Sequence, residues 1–427
     1  MSLTRESLIR TYRNAVEREI VPFWLRAVDD VHGGVYTCFD NEGTHLLSTD
    51  KYTWSQGRFV WLLARLADLA TAGKVTADPD RLLEDARRAV DFLAHAFMST
   101  GHCAFLLTAD GTPRETVAGA GFETSTSVDC FVVLGLSEYA RVARDERVAA
   151  RALVAYDSVI ARLERGQFRT EPYPFPAGYE PFSVPMLLLN VEQELGRCLE
   201  TFGHGRAEEI LDRALGRARH LLDRFVLPSG ITAELLPLDG RLESTLLARH
   251  VNPGHAIECM WFILHEARRT NDSAMIERAQ SVILASIETG WDQAYGGLLR
   301  YVDREGGRPR GDLAGGRYEK LVVDTWDLKL WWPHSESLYA TLLAVSLTQD
   351  ERALRAYEMV HEYTFGTFPN PDRSVGEWIQ IRDRAGAPIE RVVALPVKDP
   401  YHILRNMLLI LELLGDSRTA RPEMTPA

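Results

Sequence analysis

GGVYTCFDNEGT (33–44), CAFLLTADGTPRE (103–115), GITAELLPLDGRLES (230–244), GGLLRYVDREGG (296–307) and GEWIQIRDRAGAP (376–388) are five copies of one local pattern. Each is a short run of alternating, β-favouring residues followed by an Asp-containing turn that closes on Gly, which is the signature of a tight hairpin. The turns are marked by Asp40, Asp110, Asp239, Asp303 and Asp383, at separations of 70, 129, 64 and 80 residues. The long second interval reads as two periods with one hairpin lost, near EPYPFPAGYEPF (171–182). Self-similarity at a fixed spacing marks a repeat architecture, and a period of roughly 65 to 70 residues gives about six units.

Between the hairpins, apolar residues recur at three- and four-residue spacing. The pattern predicts twelve helices, at about 5–25, 54–72, 80–98, 122–142, 147–163, 183–202, 206–225, 253–269, 273–289, 334–346, 350–363 and 399–414. Two helices per unit and six units predict an all-α fold, an (α/α)6 barrel with inner and outer rings of six helices and short β-hairpins at one end. An open solenoid is the alternative, because a count of six does not itself require closure.

No Ser/Gly-rich linker, low-complexity tract or charge run breaks the periodicity, so residues 1–427 read as one domain with a short tail after Leu414. No segment approaches 18 uninterrupted apolar residues, and MSLTRESLIRTYRNAV reads as a polar amphipathic helix rather than a secretion signal. The expected location is the cytoplasm. Five cysteines without a CxxC pair fit reduced, buried thiols. Acidic residues outnumber basic ones, 60 to 48, for a net charge of −12 with no basic stripe. That balance argues against nucleic acid and anionic membrane as partners.

Chemistry-bearing residues gather at predicted helix starts. In RHVNPGHAIECMWFIL, Asn252 is a helix cap, Pro253 suits the first helical position and His255 follows in the first turn. In VKDPYHILRNMLLIL the same grammar returns as Asp399, Pro400 and His402. LKLWWPHSESLYATLL places His334 and Glu336 after Pro333, with Lys329 and Trp332 just before them. Backbone N–H groups at a helix start disfavour imidazolium, so these histidines are expected to be neutral, the form a general base needs. A lone first-turn histidine is ordinarily a solvated or hydrogen-bonded side chain; two with matched grammar favour function. His255 with Glu258, and His334 with Glu336, would be the metal-ligand pairs, but neither HExxH nor clustered Cys/His spacing is present, and no metal is expected. KYTWSQGRFVW (51–61) sets Gln56 and Arg58 beside Trp54, a mixture suited to sugar, and Arg405 lies one turn after His402. Trp261 and the Trp331–Trp332 pair read as core packing ahead of substrate platform. GDLAGGR (311–317) opens no phosphate-binding loop and reads as a flexible segment over the barrel mouth.

Taken in order, KYTWSQGRFVW, PFSVPMLLLN, NPGHAIECMWFIL, DLKLWWPHSE, TFGTFPNPDRSVGEWIQIRDRAG and KDPYHILR resemble the N-acylglucosamine 2-epimerase family over about residues 15–414. The family has an (α/α)6 barrel, and WWPHSE leans toward its N-acyl sugar branch rather than toward cellobiose epimerases and mannose isomerases. The resemblance implies interconversion of N-acetyl-D-glucosamine and N-acetyl-D-mannosamine, with Arg58, His255, Glu336, His402 and Arg405 at essential positions. It also implies a homodimer, no required cofactor, and activation by ATP in several members, for which this sequence shows no phosphate cradle. Asp399, Pro400 and Leu404 depart from the family's usual KGxxHxPR segment.

Inversion at C2 needs an acid and a base on opposite faces of the carbon. The expectation is that His255 and His402 supply that pair and Arg58, with Arg405, stabilises the enediolate oxygen. Glu336 would orient a histidine or a hydroxyl, and His334 would assist ring opening. Gln56, Trp54, Glu258, Trp332 and Lys329 complete the candidate binding residues. The rivals are a free-aldose epimerase, a glycoside hydrolase using Glu336 and Glu377, and a non-catalytic protein-binding role.

Overall fold

The apolar stripes form helices in the computed structural model, which describes residues 4–416. In chain order they are α1 (Arg5–Asn14), α2 (Val21–Arg26), α3 (Thr53–Thr71), α4 (Pro79–Leu93), α5 (Thr126–Ala143), α6 (Glu146–Glu164), α7 (Ser183–Thr201), α8 (Ala207–Phe225), the single turn α9 (Leu246–Arg249), α10 (Pro253–Thr270), α11 (Ser273–Gly290), α12 (Arg317–Thr325), α13 (Trp331–Thr348), α14 (Glu351–Thr367) and α15 (Tyr401–Gly415). α1 and α2 are joined through a wide π turn (Ala15–Ile20), where the Val21 N–H reaches five residues back to the Val16 carbonyl, just ahead of Pro22.

α3, α5, α7, α10, α13 and α15 pack in succession, and α15 packs back on α3. That last contact closes the ring and excludes the open solenoid. Outside lie α4, α6, α8, α11 and α14, each against the inner helix preceding it, while α1 and the π turn pack on α15 in the sixth outer place. The sequences differ accordingly. α13 is buried on nearly every face, whereas α8 buries a stripe of Ile210, Leu211, Ala214, Ala218, Leu221 and Leu222 and turns its charges outward. One core of buried side chains runs from Leu8 to Leu413.

Inner and outer helices are linked in three units by the same two-residue device. Arg144, Asn271 and Gln349 end α5, α10 and α13 in the left-handed conformation, and Asp145, Asp272 and Asp350 then cap the next helix by accepting its first free N–H groups. Each such cap is worth about 1 kcal/mol.

The hairpin signature folds as a tight turn in four copies. Gly43, Gly111, Gly306 and Gly386 have φ of +80°, +91°, +86° and +93°, and their N–H groups donate back to the carbonyls of Asp40, Thr108, Asp303 and Asp383. The copy at Asp239 instead enters a short 3-10 turn, Gly240–Leu242, capped by the Asp239 carboxylate. The strands are β1 (Cys38–Phe39), β2 (Leu46–Ser48), β3 (Lys51–Tyr52), β4 (Leu106–Leu107), β5 (Pro113–Arg114), β6 (Tyr179–Pro181), β7 (Leu235–Pro237), β8 (His250–Val251), β9 (Val302–Asp303), β10 (Lys329–Leu330) and β11 (Ile381–Arg382). Pairing runs mainly between a hairpin arm and the residues just before an inner helix: β4 on β3, β7 on β6, β9 on β8 and β11 on β10, all antiparallel. The segment of the lost hairpin provides β6. These ladders dock the hairpins at the N-terminal ends of the inner helices, where the candidate residues lie.

α3 and α5 approach most closely, because Gly57 and Gly135 face each other. A Cβ on Gly57 would lie 2.4 Å from the Phe131 carbonyl oxygen, and one on Gly135 2.2 Å from that of Gly57. The contact sets Phe131 beside Arg58.

Some boundaries differ from expectation. α13 starts three residues early, since the Trp331 N–H donates to the Gln380 carbonyl, continuing the strand ladder into the helix start. α15 starts at Tyr401, and Asp399 accepts the Tyr401 N–H at 2.7 Å. α12 was not foreseen. The segment before it, expected to be flexible, is anchored: Asp312 pairs with Thr245, and the Glu319 carboxylate accepts the N–H groups of Ala314 and Gly315. α15 extends to Gly415, into the expected tail, whose residues 417–427 lie outside the described ones. All five cysteines are buried and unpaired. Among the described residues no helix is long and apolar enough to cross a membrane.

Candidate active site

A cavity of about 310 Å³ opens at the N-terminal ends of the inner helices, within the range of small-molecule sites. His255 enters it from the first turn of α10. Asn252 caps that helix by accepting the His255 N–H at 3.3 Å, and Pro253 occupies the first helical position. The imidazole is oriented by Glu234, from the hairpin arm preceding β7: His255 Nδ1 lies 2.9 Å from Glu234 Oε1. Burial pulls the His255 pKa down, but the Glu234 carboxylate, aided by Glu258, outweighs it and leaves the value raised. The expectation of a neutral His255 is therefore corrected: a carboxylate in contact overrides the helix terminus.

His402, in the first turn of α15, is held in the same manner by Glu336 from α13, with Nδ1 to Oε1 at 2.6 Å. Glu336 has no freedom to turn. Its other oxygen accepts the Trp261 indole N–H at 2.6 Å, and Arg405 Nη2 donates to Oε1 at 2.7 Å and to Glu258 Oε1 at 2.6 Å. Burial alone would raise the Glu336 pKa, yet Arg405 first and His402 second hold it down to about 2, so this carboxylate is ionised. Both imidazoles flank one indole, the Trp332 ring centroid being 5.2 Å from that of His255 and 5.6 Å from that of His402. Neither His255 Nε2 nor His402 Nε2 makes a hydrogen bond among the described residues.

Arg58, on α3, completes the ring of charge. Its guanidinium lies 4.0 Å from the Phe131 ring centroid, 4.6 Å from Trp54 and 5.0 Å from Tyr401. Arg58 Nη1 donates to Asp399, while the buried Nε has no partner among the described residues. The candidates thus brought together are Arg58, Trp54, His255, Glu258, Trp332, His402 and Arg405 on the wall, with Glu336 directly behind His402.

Three candidates go elsewhere. His334 is fully buried: its Nδ1 donates to the Leu330 carbonyl at 2.7 Å and its Nε2 accepts the Leu298 N–H at 2.8 Å. Burial drives its pKa to about 3, so it is a neutral brace for the strand ladder and cannot assist ring opening. Gln56 spends both ends of its amide on Val35, at 2.8 and 2.9 Å, clamping the first hairpin. Lys329 donates to the Gly296 carbonyl and pairs with Asp292 at 3.3 Å, clamping the fourth. Replacing His334 with Gln or Leu is accordingly expected to cost about 1–3 kcal/mol of stability, the penalty of an unsatisfied buried N–H, with KM unchanged; thermal unfolding and steady-state kinetics check the pair of outcomes.

Glu377 faces away from the cavity, engaged by Lys398 at 3.0 Å and Gln380 at 3.0 Å. The Glu336–Glu377 pair of the hydrolase reading is not a facing pair. Of the two pairs weighed as metal ligands, His334 with Glu336 is split, since both His334 ring nitrogens are spent on backbone groups. Ligand atoms of Glu258, Glu336 and His402 do converge within 4.8 Å. However, Arg405 Nη2 already sits between the two carboxylates, so the cationic place in that cluster belongs to a side chain.

Sequence reasoning missed Glu234 and Arg300. Arg300 lines the cavity and donates to the Thr325 hydroxyl at 3.0 Å and the Val393 carbonyl at 2.9 Å, tying the 391–397 loop to the mouth. Both are lone charged residues within apolar hairpin arms, TAELLP and GLLRYV. That interruption was the available signal.

The chain's relatives place it among isomerases of the sugar-epimerase class. A family model described as N-acylglucosamine 2-epimerase (GlcNAc 2-epimerase) matches residues 34–406. The N-acylglucosamine 2-epimerase of Bos taurus is 30% identical over 423 residues, covering 96% of this chain and 93% of that protein, and the Homo sapiens protein of the same name is 30% identical over 428 residues, covering 97% and 92%. The chain belongs to the N-acylglucosamine 2-epimerase family. Among solved structures, cellobiose 2-epimerase from Bacillus thermoamylovorans superposes with a TM-score of 0.72 at 19% identity, covering 95% of this chain and 99% of that one. A D-mannose isomerase gives 0.72 at 18%, covering 96% and 97%. Both show the shared barrel.

Proposed function

We propose that the protein interconverts N-acetyl-D-glucosamine and N-acetyl-D-mannosamine by inverting C2. The observation that carries this is the pair of imidazoles, from α10 and α15, flanking Trp332 in one cavity with each Nδ1 engaged by a carboxylate and each Nε2 unengaged. A ring held this way offers an Nε2 lone pair when neutral and an Nε2–H when protonated. In the open-chain sugar one histidine removes the C2 proton, the C–H electron pair becomes the C1–C2 double bond, and the carbonyl electrons move onto O1. The other histidine returns a proton to the opposite face as the electrons flow back. Arg58, with a buried N–H that has no partner among the described residues, supplies the donor for the oxygen that gains charge. Glu336 and Arg405 fix His402. The names of the mammalian relatives support an N-acyl sugar as substrate.

The test is a panel of free and N-acetylated hexoses incubated with the protein in D2O and followed by NMR. Deuterium at C2 of both N-acetylated epimers is the expected result. Exchange confined to glucose and mannose would replace the substrate, and release of reducing ends from an oligosaccharide without exchange would replace the reaction.

The raised His255 pKa has a pH consequence. A proton-donating His255 stays charged above about pH 6.5, where an unperturbed histidine loses its proton, so the alkaline limb of kcat/KM is expected above that value. Glu234→Gln removes the carboxylate responsible and is expected to move this limb to lower pH. An unmoved limb would detach His255 from the acid role.

A further inference from the structure

We propose that Asp399 is a positioning residue for Arg58, and that the polar chain behind it exists to aim that guanidinium at the substrate oxygen. The inference rests on the reading of Arg58 as the donor to the reacting sugar. Asp399 is 6% exposed and spends both carboxylate oxygens: Oδ2 accepts from Arg58 Nη1, and Oδ1 accepts the Tyr401 N–H at 2.7 Å. Its backbone is held as firmly. The Gln380 amide brackets it, Oε1 accepting the Asp399 N–H and Nε2 donating to the Asp399 carbonyl, each at 3.1 Å. Gln380 is in turn fixed by Asn41, which accepts its backbone N–H at 2.9 Å, and by Glu377 at 3.0 Å. Lys398, next in sequence, pairs with Glu377 at 3.0 Å and donates to the carbonyls of Asn41 and Trp378 at 2.6 and 2.8 Å. Residues of the first and last hairpins therefore converge on one carboxylate. Three aromatic rings already confine the Arg58 guanidinium. Among the described residues Asp399 alone fixes its rotation in the pocket, through the one guanidinium nitrogen given an acceptor there.

Asp399 also accepts the Tyr401 N–H at the start of α15, whose cap position is Pro400, so a loss of activity on substitution is not by itself decisive. Asparagine keeps an oxygen for that N–H and removes the charge that holds Arg58. The experiment is a double-mutant cycle of Asp399→Asn and Arg58→Ala, read as the rate of C2 deuterium incorporation and as kcat and KM separately, with thermal unfolding run on all four proteins. Asp399→Asn in the native background is expected to lower kcat on the order of 100-fold, the scale of a misplaced catalytic donor, with a small change in KM. In the Arg58→Ala background it is expected to do nothing further. Equal losses in both backgrounds, or full activity of the single Asp399→Asn protein, would overturn the proposal. A native protein that exchanges no C2 proton in any sugar would instead overturn the functional reading beneath it.

Discussion

Replacing His402 or His255 with Ala is expected to lower epimerisation by about 10²–10⁴-fold, the contribution of a positioned acid or base. The two variants should differ in kind as well as in rate. An enzyme lacking one histidine retains the other, so it can still exchange the C2 proton of whichever epimer presents its C–H bond to the surviving ring. In D2O one variant should label N-acetyl-D-glucosamine in place and its counterpart N-acetyl-D-mannosamine, each with little conversion. Both variants labelling the same epimer would mean that one base serves both faces. Full activity in both would remove the histidines from the chemistry.

The second large effect concerns stability. Arg405→Ala leaves Glu258 and Glu336 buried without the guanidinium that bridges them at 2.6 and 2.7 Å. Breaking a buried ion pair from one side costs about 3–5 kcal/mol, readable from chemical denaturation. The pH dependence identifies the cause. Glu336 has its pKa depressed to about 2, against about 4.3 in an unfolded chain, so the stabilisation is complete above about pH 4.3 and is lost as pH falls toward 2. The destabilisation should therefore be largest near neutrality and shrink as acid protonates the carboxylate in both proteins. A penalty independent of pH would assign the loss to packing around Trp261 and Tyr401 instead. Lysine is a poor substitute, being a point charge without the planar fork.

The barrel was legible because its repeat is written in residues that have few alternatives. An Asp turn closing on a left-handed Gly, and apolar stripes at helical spacing, constrain local conformation strongly. The same reasoning found His255 and His402, whose caps and prolines announce a helix start. It failed for α12, nine residues whose apolar positions pack on the mouth through Val322 rather than on the main core. It failed also for Gln56, Lys329 and His334. These polar residues neighbour cavity-lining residues in sequence, but a strand ladder turns them toward backbone carbonyls and amides, and that pairing joins segments 21 to 36 residues apart. Glu234 escaped notice for a related reason. Its meaning depends on β7 lying against β6, which delivers an acidic side chain to an imidazole 21 positions later.

The ring is closed by α15 docking back on α3, and α1, from the opposite end of the described fold, covers that last inner helix from outside. Since α15 carries His402 and Arg405, and docks on the α3 that carries Arg58, the contact that closes the ring also brings these three residues to one cavity. Without α15 the barrel would keep five inner helices and only one of the two cavity imidazoles, His255. On the proposed mechanism, opening this seam and losing turnover are therefore expected to go together.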